Sequence, residues 1–125
     1  MHLDNMYLNN SNIKFEVFTA TNFFSRAAGL LFRKKLKENQ CLLISPCTSI
    51  HTIGMRYNID IVFIDAFGYV TDIHYDVEPF RVVSSSRNAC SVVEFLGGTL
   101  RKYKYIIRVN EQIFKKPFFG SVNIY

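Results

Sequence analysis

Tryptophan is absent from the 125 residues, and cysteine and proline occur only three times each. An odd set of cysteines (Cys41, Cys47, Cys90) does not form a disulfide framework, so the expectation is three thiols in a reducing compartment. No apolar run approaches the ~18 residues that a membrane helix needs. The longest, Cys41-Leu42-Leu43-Ile44 and Ile61-Val62-Phe63-Ile64, have the length of buried strands. Phosphate-loop and dinucleotide-type glycine patterns are missing, which removes support for nucleotide chemistry. Repeats, low-complexity tracts and internal linkers are missing too, so one domain is expected. The start, Met1-His2-Leu3-Asp4-Asn5-Met6, has neither the basic residues nor the apolar stretch of a secretory signal, and a cytoplasmic location is expected.

What is present points to a β-rich globule. Apolar residues reach 49% and charged residues 20%, which excludes an intrinsically disordered chain. Twelve Phe and seven Tyr, with many Val and Ile, favour sheet. The net charge of +5 is unevenly spread. Arg33, Lys34, Lys35 and Lys37 form one basic cluster, and Arg101, Lys102, Lys104, Arg108, Lys115 and Lys116 a second. Between them no Lys or Arg occurs from 57 to 80, a stretch holding Asp60, Asp65, Asp72, Asp76 and Glu78. Such polarity can attract nucleic acid, although solvated loops carry charge in the same way.

Residues 1–12 are polar and Asn-rich and read as a flexible lead-in to a single β-rich domain over 13–125. Residues 13–19 alternate as a half-buried strand. Thr21-Asn22 offers helix-capping oxygens, and Phe23, Phe24, Ala27, Ala28 and Leu31 follow at helical spacing. Short strands are expected over 40–45, 49–55, 59–65, 68–76, 79–84 and 90–96, with 104–109 and 121–125 as further candidates. Asp65-Ala66-Phe67-Gly68 reads as a tight hairpin with Gly68 at positive φ and Asp65 bonding its own turn. The fold class expected is α+β and predominantly β, a small sandwich or partly closed barrel with one N-terminal helix.

Three segments carry a family resemblance. They are Arg26-Ala-Ala-Gly29-Leu-Leu-Phe-Arg33, then Pro46-Cys47-Thr-Ser49-Ile-His51-Thr52 through Met55 to Ile59-Asp60-Ile-Val-Phe63-Ile-Asp65-Ala-Phe-Gly68, and Val92-Val-Glu94-Phe-Leu-Gly97-Gly98. In this order the chain resembles the bacterial and archaeal domain of unknown function 192 family over residues 13–100, in the branch with a Ser-Ile-His-Thr segment, here Ser49 to Thr52. The resemblance implies a compact, mostly β domain and no established reaction. Relatives often carry Trp just before the Met55 position and Pro at the Asn58 position, and the basic tail after Gly98 is unlike theirs.

Several residues could carry chemistry. Cys47 and His51, with Asp60 as the orienting carboxylate, are the parts of a thiol-dependent enzyme or hydrolase. In an extended segment, however, a four-residue offset places Cys47 and His51 ~13 Å apart, so contact requires a bend. Cys41, Cys47, His51 and Cys90 could ligate zinc, but no Cys-x2-Cys or His-x3-His spacing supports it, and neither a metal nor a cofactor is expected. Asp60 and Glu94 sit inside apolar runs, where an unpaired charge is costly, so ion pairs with Arg26 or Arg33 are expected. The reading favoured is a binding or accessory module with a cleft lined by Arg33, His51, Thr52, Met55 and Asp60. Its partner would be a small molecule or a protein, with no membrane; a homo-oligomer is compatible, and a nucleic-acid binder is the third class.

Overall fold

A computed structural model describes residues 2–7, 13–20, 35–85 and 88–114, the first of these segments by its backbone. Among the described residues eight strands are seen: β1 (His2–Tyr7), β2 (Lys14–Ala20), β3 (Gln40–Ile44), β4 (Ser49–His51), β5 (Ile59–Ile64), β6 (Val70–Val77), β7 (Val82–Ser84) and β8 (Ser91–Leu96). One short helix, α1 (Thr99–Lys102), follows β8. Six strands form a mixed sheet in the order β1-β2-β3-β8-β5-β6, and β4 pairs with β7 in a separate ribbon. Only the β2–β3 pairing in the large sheet is parallel. Among the described residues no ladder joins β1 to β6, so the sheet is open and the barrel alternative is set aside.

The two faces of this sheet make two cores. Along β5 every residue is buried, because both sides of the strand are covered. Val62 and Ile64 join Phe15, Val17, Cys41, Leu43, Val93 and Phe95 on the first face, which Leu100, Ile107 and Ile113 close. Ile59, Ile61 and Phe63 join Leu42, Ile44 and Val92 on the second, against which Ile50 and Val83 of the ribbon pack, with Met55 and Tyr57. This is the two-sided form of the period-two pattern: an interior strand reads as a continuous apolar run rather than an alternation.

Several expectations change. Residues 2–7 are not a loose lead-in but strand β1, paired antiparallel with β2. Residues 104–109 form turns rather than a strand. The N-terminal helix expected after Thr21 lies outside the described residues, as do Arg26, Arg33 and 121–125. The hairpin at Asp65 is seen as expected. Its Oδ1 accepts from the backbone N–H groups of Phe67 (2.9 Å) and Tyr69 (3.0 Å), and Gly68 has φ +85°.

Candidate binding site

Strand β4 ends at His51, and the chain then turns through Gly54 (φ +87°) before entering β5. The residues on this path separate into different environments. His51 is exposed, and its Nδ1 accepts from the N–H of Ile53 at 3.3 Å. Thr52 is 1% exposed, so it does not line a cleft. Its hydroxyl donates to the Glu78 carbonyl (2.7 Å) and accepts from the Arg81 N–H (2.9 Å), and its carbonyl accepts from Phe80 N–H at 3.1 Å. Thr52 is thus a peg holding the β6–β7 turn. Met55 is half-buried against the second core.

Asp60 is fully buried and lies on the first face, opposite Phe95. Across from it β6 carries an irregularity: Ile59 pairs with Val77 but Ile61 with His74, so one residue is extra. Asp76, at φ +49°, sits in that bulge and donates its N–H to Asp60 Oδ1 at 2.8 Å. Asp60 Oδ2 accepts from the Leu100 N–H at 2.8 Å, at the start of α1, where Gly98 supplies no side-chain cap. The carboxylate therefore closes a bulge and a helix start together, serving N–H groups that local structure leaves unpaired. The expected guanidinium partner is replaced, among the described residues, by these two backbone donors.

The parts of the thiol enzyme do not converge. Cys47 packs on the second face, and its Sγ donates to the Ser49 carbonyl at 3.2 Å. Asp60 is on the other side of the sheet from it. The zinc set is divided in the same way, with Cys41 in the first core and Cys47 on the second. Burial pushes the Cys41 thiol far above its ordinary range, and burial followed by the charge of Asp65 raises Cys90. Neither is an activated thiolate.

The second face holds a different arrangement. Glu94 is 4% exposed, and no described residue gives it a hydrogen bond or an ion pair. Burial pushes its carboxyl up to about 8. Its lateral neighbours are Leu42 on β3 and Ile61 on β5, which offer no donors; beyond Ile61 stands His74 on β6. The Tyr57 hydroxyl and the Nε2 of His74 are both buried without a hydrogen-bond partner among the described residues. Burial raises the Tyr57 phenol, and the nearby Glu94 charge raises it further. The Leu36 backbone opposes that rise but makes no hydrogen bond to the hydroxyl. An acid, a phenol and an imidazole thus face a lining of Leu42, Ile61 and Phe63, with the His74 ring edge-on to Phe63 at 5.9 Å. Buried polar atoms are almost always satisfied, so two exceptions beside a carboxyl unpaired among the described residues mark a place built for something else. Glu94 was legible from its position between Val93 and Phe95; His74 stood out only as a strand-face residue. Tyr57 gave no signal, since it lies in a turn without periodicity.

Of the four described basic residues near the C-terminus, three are ion-paired. Arg101 meets Asp76 at 3.0 Å, Lys102 meets Glu38 at 3.0 Å and Arg108 meets Glu111 at 2.6 Å. Lys104 lies over the Tyr105 ring. Among the described residues, no group of three His, Cys, Asp or Glu is placed to hold a metal ion, and no helix is long and apolar enough to cross a membrane.

The model of the domain of unknown function 192 (DUF192) family, described as Uncharacterized ACR, matches residues 6–113. No curated protein matches the sequence. Solved structures share the fold, and two of them show how closely. A protein of unknown function from Novosphingobium aromaticivorans has a TM-score of 0.69 at 17% identity, covering 80% of this chain and 77% of its own. A Sinorhizobium meliloti protein named for transcription regulation has a TM-score of 0.69 at 19% identity, covering 79% of this chain and 82% of its own.

Proposed function

Since the chain belongs to the DUF192 family, which carries no assigned reaction, we propose from its geometry that it is a binding module whose recognition floor is Glu94 and Tyr57. The observation that supports this is a carboxyl 4% exposed with no partner among the described residues. A fold that only needed stability would gain by an apolar residue there, because an unsatisfied buried polar group costs roughly 1–3 kcal/mol. A ligand supplying the missing bonds offsets that cost on binding. Apolar walls with a few convergent polar groups are what small-molecule sites use to orient their ligands. The cleft expected between His51 and Asp60 is redrawn by this reading: Met55 stays at its margin, Tyr57 is added, and Thr52 and Asp60 become scaffold.

The thiol-enzyme alternative is disfavoured because the sheet separates Asp60 from Cys47, and the nucleic-acid alternative because neighbouring carboxylates neutralise much of the C-terminal basic cluster. The cytoplasmic location belongs to the same reading, supported by the odd number of cysteines. A thermal-shift screen against a metabolite library tests the proposal. Hits should stabilise the wild type and lose their effect in Glu94→Gln and Tyr57→Phe. Hits indifferent to both substitutions, or a Cys47→Ser variant that alone abolishes binding, would move the site elsewhere.

A further inference from the structure

Resting on that reading, we infer that the Glu94–Tyr57 floor takes a compact organic cation, a small ligand presenting an ammonium or guanidinium group. Glu94 faces side chains from three strands and one turn. From β3 it meets Leu42, from β5 Ile61, and beyond Ile61 the imidazole of His74 on β6. Tyr57 comes from the turn before β5, and the Lys35 Nζ lies over its ring, 5.4 Å from the ring centre. No described residue donates a proton to the carboxyl. The four ion pairs seen use Glu78, Asp76, Glu38 and Glu111, and none of them reaches Glu94.

The ligand class follows from the groups left open. An anion would meet a carboxylate in a poorly solvated setting and be repelled. A neutral amide could bond to the acid but would leave its charge uncompensated whenever it ionised. An ammonium or guanidinium supplies both missing terms, a positive charge and several N–H donors, enough for the carboxylate and the Tyr57 oxygen at once. An enclosed carboxyl, 4% exposed, suits a small molecule better than a broad macromolecular surface. The acid gives up its proton to solvent as the cation enters, so binding near neutral pH releases up to one proton.

The test uses the full chain labelled with 13C at the glutamate side chains. The Glu94 carboxyl resonance, assigned by its loss in Glu94→Gln, is followed against pH alone and with n-butylammonium, methylguanidinium or neutral n-butyramide. The expected result is a midpoint near 8 alone, lowered by about one pH unit or more by a cation bound at tenfold its dissociation constant. Butyramide should leave the midpoint in place. Tyr57→Phe should weaken the cation effect severalfold, and this variant carries the test if Glu94→Gln does not fold. Calorimetry in buffers of different ionisation heat should show the released proton. Binding of butyramide with no effect of either cation overturns the ligand class and leaves the binding site standing. A midpoint that stays near 8 with every probe also overturns the cation inference. A midpoint already in the ordinary carboxylate range, raised by Arg26→Ala or Arg33→Ala, would show that the chain's own arginine fills the place, and both readings would fall.

Discussion

Asp60 and Thr52 satisfy backbone groups that secondary structure leaves over, and each is buried because of it. Asp60→Asn keeps one acceptor but turns an amide toward a backbone N–H that needs an oxygen. The expected loss is ~2–3 kcal/mol, the scale of a charge-assisted hydrogen bond removed from a buried donor. Thr52→Val retains shape and loses the hydroxyl shared by Glu78 and Arg81. It should cost about 1–3 kcal/mol. His51→Ala, at an exposed position, should cost less than ~1 kcal/mol. Urea unfolding of the three variants checks the order. If His51→Ala proves the most damaging, the assignment of Thr52 as the peg is wrong. Asp60 stood out in the sequence as a charge between isoleucines, but its partners did not, since they are main-chain groups 16 and 40 residues away.

Among the elements, the β5–β6 hairpin shows how local chemistry meets long-range packing. Asp65 and Gly68 prescribe the turn, and that much is readable from four residues. The tertiary structure adds a second demand on Gly68. A Cβ built there would lie 2.2 Å from the Phe114 carbonyl oxygen, which belongs to a segment far along the chain. Gly68→Ala therefore combines a disfavoured positive φ with a backbone collision, and a loss of about 2 kcal/mol or more is expected. A Gly68→Ala variant with the wild-type denaturation midpoint would show that the 105–114 segment yields easily. The same segment explains the strand mistaken at 104–109: Tyr105, Ile106 and Ile107 have strand-forming side chains, but Ile106 and Ile107 donate to the Tyr103 carbonyl in successive turns. Burial of Ile107 against the first core, rather than intrinsic preference, decides its conformation.

At the scale of the whole molecule, Glu94 should make stability depend on pH in an unusual direction. Its carboxyl titrates at the ordinary value of 4.5 when unfolded and near 8 when folded. Between these values the folded state holds a proton that the unfolded state has lost. The stabilisation is complete below the lower value and falls away as pH rises through the upper one, by up to about 1.4 kcal/mol per pH unit. Glu94→Gln should remove this slope, so the difference between the two proteins should grow from pH 5 to 8 in favour of the variant. Chemical denaturation at a series of pH values reads it directly. Parallel pH profiles for the two proteins would mean that the carboxyl is not held in its protonated form.

Composition and period determined the class of this protein. Strand-forming apolar runs, a punctuating hairpin and the absence of long apolar helices specify a β-rich globule because side-chain pattern and backbone preference act locally. The three motifs carried the family for the same reason: they are contiguous stretches. Which strands neighbour one another was decided only in three dimensions, where β8 inserts between β3 and β5 and brings Glu94 beside Leu42 and Ile61. Whether a buried acid is pinned or left open depends on those neighbours. Asp60, facing a bulge and a helix start, finds two donors; Glu94, facing aliphatic side chains, finds none among the described residues. Both read alike in sequence, as carboxylates flanked by apolar residues. The difference lies in hydrogen-bond geometry between segments distant along the chain, which tertiary packing alone supplies.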